Sequence, residues 1–255
     1  MISYREVAGT SPEFDAAYQV IASEMDPEFL EPEDDVRTRF QIQEHGQTEE
    51  ESRFQPTEGY RVHMIAAVDD DECLVVGAVC GSFIPRIGAE ARGFGLVSYL
   101  AVTLDRRGKG VGRRLLEEFL RVVQEDASSH TNRAAFALVF EIERQDKTDI
   151  ERLVKKLGGY PLDIDFYQPS VRKGYDEQRM NLWLLPLEHE VRTPQEARRV
   201  RYPAEFIHRM VTSLFVYEYR GPTKERFRND RKPYLALVRS LEGRAEVGFR
   251  LDATF

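Results

Sequence analysis

Apolar residues change their spacing several times along the chain, and each change marks an element. After a short apolar start near Ile2, residues 14–21 read as a helix opened by Ser11, with Glu13 in its first turn. A second helix is predicted over 31–43, and the polar, acidic stretch 46–59, which holds Pro56 and two glycines, reads as a loop. From Arg61 the period falls to two. Val62, Met64, Ala66 and Val68 alternate with other residues until Asp69, Asp70, Asp71 and Glu72 stop the run, which predicts a strand and a turn. Residues 73–84 are a second apolar run that pairs with the first as a hairpin, 85–93 is a loop rich in glycine and arginine, and 96–104 is a third strand. Beyond Arg106, Val111, Leu115, Leu116, Phe119, Val122 and Val123 fall at helical spacing among charged residues, an amphipathic helix of about four turns. Residues 134–142 suit a central strand, 148–157 a short helix ended by Gly158 and Gly159, and 162–168 and 180–187 two further strands. The remainder is helical around 193–217, with Pro194 at a helix start and no internal repeat.

Length and composition fit this picture. The 255 residues allow one large domain or two small ones, and 42% hydrophobic with 31% charged residues is globular composition, which excludes collagen-like or wholly disordered chains. A net charge of −8 argues against a basic nucleic-acid coat, so a nucleic-acid partner is not expected. Charge is uneven, however: residues 24–51 hold eleven acids against two bases, and 191–232 hold eleven bases against five acids. The two regions are electrostatically complementary, which suits solvated helical faces, docking within or between subunits, or an acidic rim for a cationic substrate. Tyr219 and Phe227, among the bases that include Arg220 and Lys232, offer a weak signal for stacking on RNA.

Cys73 and Cys80 lie in one apolar stretch and read as buried apolar residues; two cysteines build neither a disulfide framework nor a four-ligand zinc site. His45, His63, His130, His189 and His208 show no metal-ligand spacing, so no metal is expected. The N-terminus has no apolar core of signal-peptide length, and no stretch approaches the roughly 18 apolar residues that span a bilayer. A soluble protein in a reducing cytoplasm, with no membrane partner, is the expectation.

The chemistry concentrates between Leu100 and Leu116. A strand delivers the chain to Arg107-Gly108-Lys109-Gly110-Val111-Gly112, and a helix begins inside that loop, so unpaired N–H groups point out of its N-terminus. Glycines let a diphosphate approach the backbone, and the helix dipole with Arg107, Lys109, Arg113 or Arg114 supplies positive character. A P-loop would need GxxxxGK[ST], and a dinucleotide fingerprint GxGxxG after the first strand of a βαβ unit; neither occurs.

The strand, the R-x-x-G-x-G of Arg107 to Gly112 and the helix after it resemble the pyrophosphate-binding motif of the GNAT superfamily of acyl-CoA-dependent N-acyltransferases, over residues 61–187. That resemblance implies an α/β (α+β) fold with a mixed, largely antiparallel central sheet flanked by helices. It implies an acetyltransferase domain over 1–190, with N-terminal helices in 11–45, and leaves 191–255 as a basic helical extension that docks on the core or on a second copy of the chain. It implies acetyl-CoA as acyl donor, its pyrophosphate on Arg107, Gly108, Lys109, Gly110, Val111 and Gly112 and its pantetheine and thioester along Leu100, Ala101, Val102 and Thr103. A departure stands at Val154: the tyrosine often found there in relatives, within the helix that reads VKKLGGY here, is missing, as is the asparagine often found before that helix.

Transfer to an amine needs a deprotonated amine, donors for the oxyanion and a proton for the departing thiolate. By analogy the Val102 N–H is the oxyanion donor. Glu141 and Glu143, two apart at the end of a strand and so on one face, are candidate bases. Tyr167 and Tyr160 are candidate proton donors, Tyr99 lines the acceptor site or the core, and Trp183 belongs to the core. In the apolar stripe Ile207, Met210, Val211, Leu214 and Phe215 the extension has a docking face. An N-acetyltransferase acting on a primary amine of a small molecule or peptide is the leading expectation; a non-catalytic acyl-CoA sensor on the same fold is the alternative.

Overall fold

The computed structural model describes residues 1–45, 59–85, 92–143, 149–169, 177–188, 193–218 and 231–250. The expected loops at 46–58 and 86–91, and the basic stretch with Tyr219, Arg220 and Phe227, lie outside the described residues.

Two helices come early, α1 (Pro12–Glu24) and α2 (Glu33–His45). Ser11 stands at the N-cap of α1 but its hydroxyl makes no capping bond; Pro12, which has no N–H to satisfy, sets the first turn instead. The sheet contains β1 (Ile2–Glu6), β2 (Arg61–Asp69), β3 (Leu74–Ile84), β4 (Phe94–Val102), β5 (Ala137–Glu143), β6 (Tyr160–Pro161), β7 (Phe166–Gln168) and β8 (Gln178–Pro186). Its order is β1-β2-β3-β4-β5-β8-β6, with β7 also pairing β8; β4 and β5 run parallel and the other pairs antiparallel. The apolar start near Ile2 is thus an edge strand, too short for its period to show in the sequence. The run at 162–168 shrinks to β7, preceded by the two residues of β6.

Helix α3 (Val111–Thr131) and α4 (Asp149–Lys156) cover one face of the sheet. The opposite face is covered by α1, α2 and two helices of the extension, α6 (Ala204–Tyr217) and α7 (Arg231–Leu241); a short turn of helix, α5 (Pro194–Ala197), precedes them. Because both faces are covered, β2 is buried along nearly its whole length instead of alternating. Val62, Met64 and Ala66 face α1, while Ile65 and Ala67 face α3.

Ile207, Met210, Val211, Leu214 and Phe215 of α6 are buried in the same cluster as Phe14 of α1 and Leu96 of β4. Within one chain this stripe is therefore already covered. The extension is not wholly helical: β9 (Arg201–Pro203) and β10 (Glu246–Gly248) form a two-stranded antiparallel sheet. Cys80 is buried as expected, but Cys73 is exposed; it sits at positive φ (53°) in the β2–β3 turn, where its side chain points away from the core. Among the described residues no helix is long and apolar enough to cross a membrane, and no group of three or more His, Cys, Asp or Glu could hold a metal ion.

One buried polar group ties β1, β2 and α3 together. The His63 ring bonds Glu6 through Nδ1 and Asp126 through Nε2, each at 2.6 Å. Burial opposes its charge, but the bonds to Asp126 and Glu6 outweigh burial and push the imidazole up to about 9. Since the folded value lies above the ordinary 6.5, the stabilisation is complete below about pH 6.5 and fades as pH rises through about 9. Chemical denaturation of wild type and His63→Gln across this range is expected to show a difference on the order of 2–3 kcal/mol near pH 6 that shrinks towards pH 9.5.

Candidate active site

The parallel pairing of β4 with β5 runs only through Gly95–Leu138, Leu96–Val139 and Val97–Phe140. Both strands continue past that point, β4 to Val102 and β5 to Glu143, each still paired on its other side. The sheet therefore opens between residues 98–102 and 141–143. A bulge marks the start of the opening: Cys80 pairs with Tyr99 and Gly81 with Val97, leaving Ser98 as the extra residue. A bulge bends its strand, and this one turns β4 away from β5. Gly81 permits it, because a Cβ there would lie 2.1 Å from the Leu96 carbonyl oxygen and 2.7 Å from the Phe119 ring.

Backbone groups of successive residues point to opposite sides of a strand. Thr103 N–H bonds the Val76 carbonyl on the β3 side at 3.0 Å, so Leu100 and Val102 present their N–H and C=O groups to the opening. The Val102 carbonyl accepts a bond from Arg107 Nε at 3.0 Å.

After β4 the chain makes one turn of 3-10 helix (Leu104–Arg106) and reaches the glycine loop. Gly108 and Gly110 have φ of +72° and +84°, and Gly110 caps α3 in the left-handed conformation. Both need glycine for that reason. A Cβ at either would meet nothing within 4 Å, so the space in front of the loop is open. The first intrahelical bond shown at this end runs from Arg114 N–H to the Gly110 carbonyl, and no side chain caps the helix. The N–H groups of Val111, Gly112 and Arg113 are thus available to an anion. Lys109 is exposed at the tip, whereas Arg107 reaches back to pair with Glu24, the last residue of α1. This geometry fits a diphosphate held by main-chain N–H groups, with the arm of the same molecule running into the opening.

Sheet alternation divides the remaining candidates. Ala137 and Val139 face α1 while Leu138, Phe140 and Ile142 face α3, so Glu141 and Glu143 fall on the α1 face, half-buried and exposed respectively. Tyr167 pairs with Arg179, whose guanidinium lies 5.9 Å from the phenol ring, and alternates with Phe166, which faces α1. Tyr167 is therefore on the α3 face, beyond β8 from the opening. Tyr160 is buried against the Phe249 ring, and Val154, on the inner side of α4, is buried in the same cluster as Trp183.

A buried network went unforeseen. On α2, Arg39 pairs with Glu31 and, at 2.8 Å, with Glu218 just past α6. Glu218 also accepts a bond from Tyr60 at 3.0 Å, and Tyr60 lies 3.2 Å from Ser82. Glu31 donates its N–H to the Tyr99 hydroxyl at 3.1 Å, and its carbonyl accepts a bond from Tyr18. Tyr99, the first residue after the bulge, therefore anchors the α1–α2 connection beside the opening. Burial pushes the Glu218 carboxyl above its ordinary value against the pull of Arg39, and pushes the Cys80 thiol up to about 12. Burial also opposes the Arg39 charge, but Glu31 and Glu218 hold the guanidinium protonated. The gross charges of the two regions are reversed at this contact, since a base of the acidic segment meets an acid of the basic one. A guanidinium one residue before Phe40 and three after Val36, on the apolar side of α2, was the one available signal in the sequence.

Residues 19–139, from within α1 to within β5, match the model of the Acetyltransferase (GNAT) family. No curated protein matches it. Among solved structures, the NatC complex bound to Gag peptide and CoA is similar at a TM-score of 0.50 and 18% identity, covering 73% of this chain and 98% of that one. Arabidopsis thaliana NAA60 in complex with acetyl-CoA is similar at a TM-score of 0.50 and 13% identity, covering 74% of this chain and 100% of that one. At these identities the likeness shows the fold.

Replacing Arg39 by methionine leaves two buried carboxylates without their shared cation, so Arg39→Met is expected to lose about 3–5 kcal/mol of stability in a urea titration at neutral pH.

Proposed function

We propose that the protein is an N-acetyltransferase that moves the acetyl group of acetyl-CoA directly to a primary amine of a small molecule or peptide within a ternary complex. The observation that carries this reading is the opening of β4 from β5 beside the uncapped, glycine-lined start of α3. It offers main-chain donors to a diphosphate at one end and to a thioester at the other. Leu100, Ala101, Val102 and Thr103 would line the arm of the donor, and Arg107, Gly108, Lys109, Gly110, Val111 and Gly112 its diphosphate end.

In this reaction the amine nitrogen attacks the thioester carbon, and the Val102 N–H stabilises the resulting oxyanion. Collapse breaks the carbon–sulfur bond, giving an amide and a thiolate that takes up a proton. Glu141 and Glu143 are assigned to accept the amine's proton, on the face covered by α1 and α2, from which the acceptor would enter. Tyr167, the candidate proton donor, lies on the α3 face with β5 and β8 between it and the opening, so a thiolate leaving towards that face would take a proton from this phenol only through intervening water. A cytoplasmic setting suits a chain whose two cysteines form no framework.

The direct test is thermal unfolding with acetyl-CoA. At one hundred times the dissociation constant, binding adds about 2.7 kcal/mol of stability, a visible rise in the melting temperature. Gly110→Glu, which puts an anion before the open end of α3, is expected to abolish that rise. Wild-type protein incubated with acetyl-CoA and a panel of amines, polyamines and peptides is expected to release free coenzyme A, read by a thiol reagent. Stabilisation by acetyl-CoA with no thiol release from any acceptor would instead support the acyl-CoA sensor.

A further inference from the structure

Each arginine between residues 106 and 114 is already paired within the chain. Arg106 meets Asp69, Glu72 and Asp105 at 2.9–3.1 Å; Arg113 meets Glu117 at 2.9 Å; Arg114 meets Glu117 and Glu118 at 3.2 and 2.7 Å. Those partners lie at the end of β2 or in the β2–β3 turn, beside Arg106, or one turn along α3. Arg107 differs, because its partner Glu24 comes from the far side of the sheet, where α1 ends and the connection to α2 begins. At its other end that connection is pinned through Glu31 to Tyr99 and Tyr18, and midway Gln178 of β8 bonds Glu28 at 3.5 Å. It thus spans from the donor loop, past β4, to β8, over the face where Glu141 and Glu143 lie.

Glu24 is a carboxylate beside a loop shaped for an anion. Its side chain is 24% exposed and that of Arg107 40%, so the pair is screened by water and weak enough to exchange partners. A diphosphate carries more charge than a carboxylate and matches the guanidinium fork with two oxygens, so it competes well for the same arginine. Resting on the donor site proposed above, we infer that Glu24 is an internal counter-ion for Arg107 that the diphosphate of the donor displaces, freeing the last turn of α1 and the start of the connection over the acceptor side. Glu24 is a positioning residue in this scheme. It touches neither substrate, yet it links filling of the donor loop to the placement of residues 25–32, and the coupling must act in both directions.

Calorimetric titration with coenzyme A tests it in four proteins: wild type, Glu24→Gln, Arg107→Gln and the double variant, each first melted without ligand to verify folding. Glu24→Gln is expected to tighten binding roughly three-fold, the range of an exposed pair, and Arg107→Gln to weaken it. In the double variant the gain from Glu24→Gln should vanish, since the arginine it would release is gone. Amide exchange adds a readout that lost stability alone would not give: coenzyme A should speed exchange in residues 20–32 of wild type and leave that segment of Glu24→Gln unchanged. Unchanged or weaker binding by Glu24→Gln overturns the inference, and so does an equal gain with and without Arg107, which would make Glu24 a bulk anion only. Wild type that fails to bind coenzyme A removes the donor-site reading and this inference together, whereas normal wild-type binding with an unresponsive Glu24→Gln removes the inference alone.

Discussion

The site depends on two neighbouring strands that stop bonding to each other while both remain part of the sheet. β4 and β5 share three register pairs and then part, and unmatched N–H and C=O groups at the centre of a covered sheet would ordinarily be costly. In the proposed reading the exposed edges are the recognition surface, because an extended ligand arm can bond them as another strand would. The separation begins at Ser98, and the bulge there exists because Gly81 opposite has no Cβ to collide with the Leu96 carbonyl. One missing methyl group on β3 thus permits the opening on the other side of β4.

The second constraint is electrostatic. Arg39 is held in the interior by Glu31 on one side and Glu218 on the other, joining α2, the α1–α2 connection and the end of α6. A buried ion pair is poor evidence for stability, since desolvation offsets much of the attraction, but it tolerates few arrangements. With Tyr60, Ser82 and Tyr99 completing the bonds, the network fixes the connection over the sheet face where the acceptor would sit. The extension thereby contributes to the core: its apolar stripe covers the sheet face and its Glu218 completes the network. α1 is placed by similar means at both ends, packing Phe14 and Ile21 into the core and sending Glu24 to the glycine loop.

The amino-acid sequence by itself determined the elements that carry strong local signals. The alternation at Val62 to Val68, the helical spacing of Val111 to Val123 and the glycines at 108 and 110 fixed a hairpin, an amphipathic helix and a glycine turn at its start, because each depends on residues near in the chain. The fold class came from the resemblance of that strand, glycine loop and helix to the GNAT motif. Only the tertiary structure decided what depends on distant partners: that the start at Ile2 is an edge strand, that Cys73 is exposed, that Glu141 and Tyr167 fall on opposite faces, and that Arg107 is matched by Glu24 and Arg39 by Glu218. Charge pairing has no period to read, and a strand's two faces are assigned only when its register is known. A shift of one residue would have exchanged every inward side chain for an outward one.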